Sequence, residues 1–149
     1  MPELRLVDRL EDPVTGEITR ETVKPPVQLF EHPEACRQLV EMMEKVTRPG
    51  GTATLAAIKG YSVAGKTGTS RKYIPGKGYS TSQYYASFVG FVPASNPRLV
   101  MLVTFDSPKG AMYGGRIAGP VFRRVMERVL RHLNVPPDRL ETADDGKKR

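Results

Sequence analysis

The sequence lacks the features that usually assign a chain to the disulfide-rich, membrane-spanning or secreted proteins. It contains one cysteine, Cys36, so no disulfide can form within the chain. Its longest apolar run, residues 99–103, is far too short to span a membrane. No charged segment followed by an apolar one opens the chain, which excludes a recognisable secretion signal. The 149-residue chain on its own is therefore expected to be soluble.

What the sequence does have is a balanced composition and a positive charge. A hydrophobic content of 39% and a charged content of 26% are typical of one globular domain with a core. A net charge of +7 would attract nucleic acid, an anionic membrane or a small anionic substrate. Much of the excess lies in the last predicted helix and in the tail, at Arg123, Arg124, Arg128, Arg131, Lys147, Lys148 and Arg149. We interpret it as a solvated helix face and a loose tail, so no nucleic-acid partner is expected.

The first third of the chain predicts a hairpin and a helix. Residues 4–23 form two short extended segments around the turn formers at 12–16. Pro33 then favours the first turn of a helix, and residues 49–51 end it. The apolar stripe of this helix consists of Cys36, Leu39, Val40, Met43 and Val46. Its cysteine is expected to be a buried structural thiol. One short helical turn is predicted over residues 52–58.

The remainder predicts an antiparallel sheet followed by a helix. Strand-like residues occupy 62–69, 85–92 and 99–105, and the polar segment 70–84 separates the first two strands. The two later strands are apolar on both faces, so both faces need a cover. A helix predicted over 120–133 covers one face with a wide stripe, made of Val121, Phe122, Val125, Met126, Val129, Leu130 and Leu133. The other face is expected to need protein outside this chain. The fold class predicted is α+β.

Residues 60–67 match the phosphate-binding loop pattern G-x-x-x-x-G-K-[ST], and Asp106 follows a strand as a magnesium-binding acid would. One hypothesis is therefore a P-loop nucleotide hydrolase. Such a loop needs a helix that begins at Lys66, yet glycines and a proline follow without helical apolar spacing. Ser62 lies in a near match to the nucleophile elbow G-x-S-x-G, which needs the same strand-to-helix turn.

A third interpretation starts from Lys66-Thr67-Gly68, the Lys-Thr-Gly element found in serine β-lactamases and penicillin-binding proteins. An edge strand offers free backbone groups to an extended peptide, and a glycine permits close approach. Strand alternation places Thr67 and Thr69 on one side, as hydroxyl donors to a carboxylate, and sends Lys66 to the other. From the local sequence alone, an ordinary strand with a glycine remains an equally good reading.

The wider context favours the third interpretation. Residues 60–69 closely resemble the segment around this motif in class B penicillin-binding proteins, above all the cell-division D,D-transpeptidase. The likeness continues through residues 86–94, 96–98, 113–115, 118–122 and 134–138. It implies the C-terminal part of a penicillin-binding transpeptidase domain over residues 1–138, and a charged, disordered tail over 139–149.

The resemblance also implies a function, that of a serine transpeptidase which cross-links peptidoglycan stem peptides ending in D-Ala-D-Ala and binds β-lactam antibiotics. Lys66 and Thr69 would be catalytic, Lys66 through its charge and Thr69 through a backbone N–H that donates to the oxyanion. Thr67, Gly68, Thr69 and Tyr113 would bind substrate. Neither a metal nor another cofactor is expected.

The chain departs from the family in one large respect. None of its seven serines is followed three residues later by lysine, and none begins Ser-x-Asn. The family places both of these motifs upstream, so the chain alone is expected to be inactive and to need the N-terminal part of the same enzyme. The parent would be anchored in the cytoplasmic membrane, with this domain on the periplasmic face and with cell-division membrane proteins as partners. A stand-alone, non-catalytic binding module is the alternative from a different class.

Overall fold

The computed structural model describes residues 7–20, 22, 24–28, 31–110 and 112–139. The chain divides into two compact units, residues 1–35 and residues 36–149. The smaller unit contains the hairpin that the sequence predicts, formed by β1 (Arg9–Glu11) and β2 (Ile18–Arg20). The Asp12 carboxylate accepts the backbone N–H groups of Val14 and Thr15 at 2.8 and 2.9 Å. The N–H groups of Thr15 and Val14 hold the pKa of Asp12 below its usual range. Residues 4–6, 21 and 23 of the predicted hairpin lie outside the described residues.

Helix α1 (Pro33–Lys45) begins where its proline predicts, and a short 3-10 helix (Thr54–Ala56) supplies the predicted extra turn. Glu34 in the first turn and Lys45 in the last complement the helix dipole. The apolar stripe of this helix is not part of the core, because none of the helix residues is buried. Cys36 is only partly buried, so its thiol is not the core group that the apolar register favours.

Three antiparallel strands form the sheet of the larger unit, in the order β3 (Ala64–Ile74), β4 (Gly78–Val92) and β5 (Leu99–Asp106). The meander that the sequence predicts is confirmed. The segment 70–84 is not a loop, however, because β3 and β4 both continue into it. Only its tip turns, where Lys77 N–H donates to the Ile74 carbonyl at 3.0 Å and Gly76 has a φ of +75°. Proline followed by a glycine with positive φ is typical of a type II turn.

Helix α2 (Gly114–His132) packs on one face of this sheet and forms the core with it. Phe88 of β4 meets Phe122 of α2 edge to face, with ring centroids 5.0 Å apart. The buried line of the helix is Phe122, Met126 and Leu130, whereas the predicted stripe residues Val125 and Leu133 are exposed. The stripe is therefore narrower than the sequence predicts, because the sheet contacts only one side of it.

Helix α2 also begins at Gly114, six residues before the predicted start, and Pro120 lies inside it. A β-carbon on Gly114 would lie 1.9 Å from the Ser87 carbonyl oxygen, and one on Gly115 would lie 1.9 Å from that of Thr52. The first turn is thus built of glycines because the backbones touch there. Apolar periodicity cannot reveal a turn that packs without side chains.

The other face of the sheet carries exposed apolar side chains, including Val100 (71% exposed) and Leu102 (64% exposed) of β5. Val89 and Phe91 of β4 pair with these residues and so share their face. The arginines of α2 lie on its solvated side, as predicted. No helix among the residues described is long and apolar enough to cross a membrane.

Candidate functional site

The first half of β3 is an edge strand that carries the Lys-Thr-Gly-Thr sequence. Lys66 pairs with Val89 and Thr69 with Ala86, both on β4. No strand pairs with the opposite edge of β3 among residues 7–20, 22, 24–28, 31–110 and 112–139. The predicted strand and its pairing partner are thus confirmed. The free edge offers backbone donors and acceptors to an extended peptide.

The two competing motif interpretations are wrong. Lys66 is the third residue of a strand, so the helix N-terminus that a phosphate-binding loop requires is absent from this position. Gly65 has a packing role, since a β-carbon there would lie 2.4 Å from the Phe88 ring and 2.7 Å from the Val89 carbonyl oxygen. Ser62 leads into a strand and not into a helix, so it is no nucleophile elbow either.

The threonine side chains lie on the face of the sheet that α2 covers, because their partners Phe88 and Ala86 do. Thr67 Oγ1 lies 3.3 Å from Thr52 Oγ1, within hydrogen-bond distance. Thr69 Oγ1 donates to the Met112 carbonyl at 3.4 Å. Thr52 was not predicted. The only sequence signal for it is its position directly after Gly50 and Gly51, and these follow the end of α1 at Lys45 by several residues.

Tyr113 is brought next to this group by the chain that leads into α2. Its neighbour Met112 contacts Thr69, and Tyr113 itself is the N-cap residue, whose carbonyl accepts Arg116 N–H at 3.0 Å. The Tyr113 side chain is 61% exposed, so its ring is available to a ligand. The N-terminal end of a helix also favours negative charge. The structure therefore gathers Thr52, Thr67, Thr69 and Tyr113 at one edge of the sheet.

Lys66 lies on the opposite face, as alternation predicts. Its ammonium donates to the carbonyl of Thr67 at 2.9 Å and is otherwise exposed. The ammonium therefore lies along β3 and does not reach the hydroxyls of the two threonines. Gly68 pairs with Ser87, and a β-carbon on Gly68 would lie 2.5 Å from Ser87 Oγ. The close contact of this glycine is thus within the sheet, on the face of Lys66.

A second group of polar contacts fixes the start of β3. The Asp138 carboxylate accepts the backbone N–H of Ser62 at 2.7 Å, the Ser62 hydroxyl, and the Ser95 hydroxyl at 2.5 Å. Thr47 Oγ1 donates to the Val63 carbonyl at 2.8 Å. Burial raises the pKa of Asp138, but the hydrogen bonds from Ser62 and Ser95 outweigh it and hold that pKa below its usual range.

These contacts are made by residues from both ends of the larger unit. They hold the start of β3 in place and leave its free edge open. Arg139, which the sequence assigns to the tail, donates its N–H to the Gly60 carbonyl at 3.1 Å and pairs with Glu44 at 2.5 Å. The tail beyond it, 140–149, lies outside the described residues. The sequence does not predict these partners, because each lies at least 16 positions from the residue that it contacts.

Comparison with known proteins agrees with this geometry. The family model of the penicillin-binding protein transpeptidase domain matches residues 1–127. The peptidoglycan D,D-transpeptidase FtsI of Escherichia coli is 46% identical over 109 residues, which are 72% of this chain and 18% of that protein. The probable peptidoglycan D,D-transpeptidase PenA of Neisseria gonorrhoeae is 43% identical over 108 residues, with the same coverage of both chains. The chain thus spans about a fifth of the length of these relatives.

Solved structures show the same likeness. The transpeptidase domain of penicillin-binding protein 3 from Burkholderia pseudomallei aligns with a TM-score of 0.64 at 45% identity, over 72% of this chain and 33% of that one. Penicillin-binding protein 3 of Mycobacterium tuberculosis, complexed with ampicillin, aligns with a TM-score of 0.76 at 29% identity, over 94% of this chain and 32% of that one. The α+β fold predicted from sequence is therefore confirmed. The chain belongs to the penicillin-binding protein transpeptidase domain family.

Proposed function

We propose that this chain is the C-terminal part of a serine D,D-transpeptidase that cross-links peptidoglycan during cell division and is acylated by β-lactams. Residues 1–138 would belong to the transpeptidase domain and 139–149 to a charged tail. The longer polypeptide, called the full-length protein below, would supply the nucleophilic serine and a membrane anchor that holds this domain on the periplasmic face. Division proteins of the membrane would be its partners.

The observation that carries the proposal is the free edge of β3 beside the threonine hydroxyls. In this proposal a stem peptide ending in D-Ala-D-Ala adds to residues 66–69 as a further strand, held by backbone hydrogen bonds. Thr67 and Thr69 donate their hydroxyl protons to its terminal carboxylate, and Thr69 then gives up its hydrogen bond of 3.4 Å to the Met112 carbonyl. A hydroxyl carries one proton, so when Thr67 donates to the carboxylate, Thr52 must be the donor in the Thr52–Thr67 contact. Thr52 would thereby orient the proton of Thr67.

The chemistry would be acyl transfer in two steps. The serine oxygen bonds to the carbonyl carbon of the penultimate D-Ala, and the terminal D-Ala leaves with a proton on its amine. An amine of a neighbouring stem then attacks the ester, which releases the serine and forms the cross-link. The Thr69 N–H would donate to the developing oxyanion, and Lys66 would add positive charge from the opposite face of the strand. Tyr113 would line the pocket, and Gly68 would permit close approach of the ligand.

The relatives support this assignment, because two are named peptidoglycan D,D-transpeptidases and a structural neighbour was solved with ampicillin. A β-lactam would enter the same site, with its carboxylate on Thr67 and Thr69. The full-length protein should therefore gain the mass of one penicillin when it is incubated with excess benzylpenicillin. The 149-residue chain should gain none, because none of its serines has the lysine partner that activates the nucleophile.

Intact-protein mass spectrometry followed by peptide mapping tests both halves of this expectation. Thr67→Val/Thr69→Val in the full-length protein should slow acylation, whereas Thr104→Val, an exposed threonine of β5, should leave the rate unchanged. An adduct mapped to a residue of the 149-residue chain would overturn the assignment of the nucleophile to an upstream segment. A full-length protein that is never acylated would favour a non-catalytic binding module.

A further inference from the structure

The outer half of the β3–β4 hairpin contributes no residue to the proposed catalytic site, although its two strands also pair with each other. We call residues 70–84 the arm. Strand β5 pairs with β4 only as far as Tyr85, which faces Asp106. Beyond that pair the arm continues as two strands, with no third strand beside them in the described part of the chain. The arm therefore projects from the sheet.

The charge of the arm is of one sign. It contains Arg71, Lys72 and Lys77 and no acidic residue. Lys72 is paired, since its ammonium lies 2.8 Å from both carboxylate oxygens of Asp106. Arg71 and Lys77 are exposed, and no ion pair joins either to an acidic side chain within the residues described. Two cations of the arm thus remain available to an anionic ligand.

The arm also exposes aromatic rings. Tyr73 (60% exposed) and Tyr79 (70% exposed) face each other across the two strands. Their ring centroids are 5.5 Å apart in an edge-to-face arrangement, which leaves the outer ring faces open. The faces of exposed tyrosines stack on the apolar faces of sugar rings, and neighbouring cations pair with carboxylates. This combination suits an anionic glycopeptide.

The arm lies on the path of any ligand that docks on the edge of β3. Strand β3 extends from Ala64 to Ile74, with a shift in its register against β4 between Arg71 and Tyr73, so the proposed docking segment and the arm belong to one strand and share its edge. Tyr73 follows Thr69 by four residues, a distance of about 13 Å along a strand. A small ligand held on Thr67 and Thr69 does not reach that far, whereas a polymer does.

We propose that the arm is a second peptidoglycan subsite, which holds sugar rings on Tyr73 and Tyr79 and free carboxylates on Arg71 and Lys77. This inference rests on the function proposed above, and it adds where the polymer, as distinct from its stem peptide, is held. An anionic lipid surface fits less well. The tip of the arm is Pro75, Gly76 and Lys77, so it carries no large apolar side chain to enter a bilayer.

The test compares a polymeric ligand with a small one in the full-length protein. The variants are Arg71→Gln/Lys77→Gln and Tyr73→Ser/Tyr79→Ser, and the matched charge control is Arg124→Gln/Arg128→Gln on the exposed side of α2. Binding is measured to soluble, uncross-linked peptidoglycan strands and to phosphatidylglycerol vesicles, and acylation is measured with benzylpenicillin. All these side chains are exposed, so the melting temperatures should match that of the wild type.

Each arm variant should raise the dissociation constant for the peptidoglycan strands about tenfold, since two exposed contacts are lost. Penicillin acylation should stay within about twofold of the wild-type rate, because a small ligand does not reach the arm. The control should bind the strands as the wild type does. Equal binding by wild type and arm variants, no binding by the wild type, or an effect of the variants confined to vesicles would each overturn the arm proposal. Failure of the wild type to be acylated would instead overturn the proposed function.

Discussion

The two halves of the β3–β4 hairpin are continuous in sequence, yet they are held in place by different interactions. In the inner half, residues 64–69 pair with 86–91, and glycines make room for the Phe88 ring against α2. In the outer half, the arm, a proline–glycine turn and the Lys72–Asp106 pair replace the packed core. Packing defines the inner half, whereas turn chemistry and charge define the outer half. Substitutions should therefore affect the two halves through different properties.

Deletion of an aromatic side chain should give the largest difference between the two halves in the free energy of unfolding. Phe88→Ala deletes a fully buried side chain of the inner half and should lower the free energy of unfolding by about 3–5 kcal/mol. Tyr79→Ala deletes an exposed ring of the arm and should change it by less than about 0.5 kcal/mol. Urea unfolding of the chain measures both. Similar losses from the two variants would show that the arm is part of the same packed core.

Gly68 tests whether the inner half also docks a ligand. In the full-length protein, Gly68→Ala should slow penicillin acylation about a hundredfold, the effect of a misplacement of roughly 1 Å. Stability should fall by no more than about 1 kcal/mol, because a non-glycine residue suits a strand and the Ser87 hydroxyl can rotate away. Tyr113→Ala should slow acylation less, since its ring lines the pocket from outside the strand.

The double variant Gly68→Ala/Ser87→Ala is the matched control for this substitution. It removes the Ser87 oxygen that a β-carbon at position 68 would approach within 2.5 Å, and so restores space inside the sheet. If close approach of the ligand is the role of Gly68, acylation stays slow in the double variant. Recovery of the wild-type rate would mean that Gly68 serves only to accommodate Ser87.

Thr52 should have a smaller effect, through the hydroxyl of Thr67. Thr52→Val keeps the shape of the side chain but removes the hydrogen bond of 3.3 Å. The expected loss in acylation rate is at most about tenfold, which corresponds to one ordinary hydrogen bond. Thr52→Ser retains the hydroxyl and should restore most of the rate in the full-length protein. A serine variant as slow as the valine variant would point to packing of the methyl group instead.

The conformational preferences of single residues predict much of this fold, in the segments where the contacts that matter join residues close in sequence. The strand at Lys66, the hairpin turn at Asp12 and the start of α1 at Pro33 all follow from steric preferences of the residues themselves. The early start of α2 was missed, because Gly114 and Gly115 pack by backbone contact with Ser87 and Thr52. The sequence does not predict the strands of the arm, because its polar residues are those of loops as well as of exposed strands.

The candidate site likewise has residues that the sequence predicts and residues that it does not. Alternation placed Thr67 and Thr69 together and Lys66 apart, since side-chain direction in a strand is a local property. The contribution of Thr52 was not predictable, because it depends on how α1 ends relative to β3. Asp138 likewise reaches Ser62 across 76 positions. Sequence patterns identify the residues of an edge strand, but the partners that orient them come from tertiary structure.

The smallest expected effect concerns the ion pair that anchors the arm. The hydrogen bond from Lys72 lowers the pKa of Asp106, and the same bond raises the pKa of Lys72. A depressed carboxyl pKa gives stability that is present above the unfolded value, about 3.9, and is lost as the pH falls through the folded value. A raised lysine pKa gives stability that is present below about 10.4 and is lost as the pH rises through the folded value. Near neutral pH both contributions are therefore present.

Lys72→Gln should lower the protection of arm amides against hydrogen exchange at pH 7 and low salt, because the arm loses its link to β5. The difference from the wild type should shrink as the pH falls through the folded pKa of Asp106, and also at 1 M salt, since the pair is exposed and screened. Lys77→Gln removes the same charge from the tip, where no acidic side chain pairs with it among the described residues, and should leave protection unchanged. Equal loss of protection in both variants would mean that net charge, and not the Lys72–Asp106 contact, orders the arm.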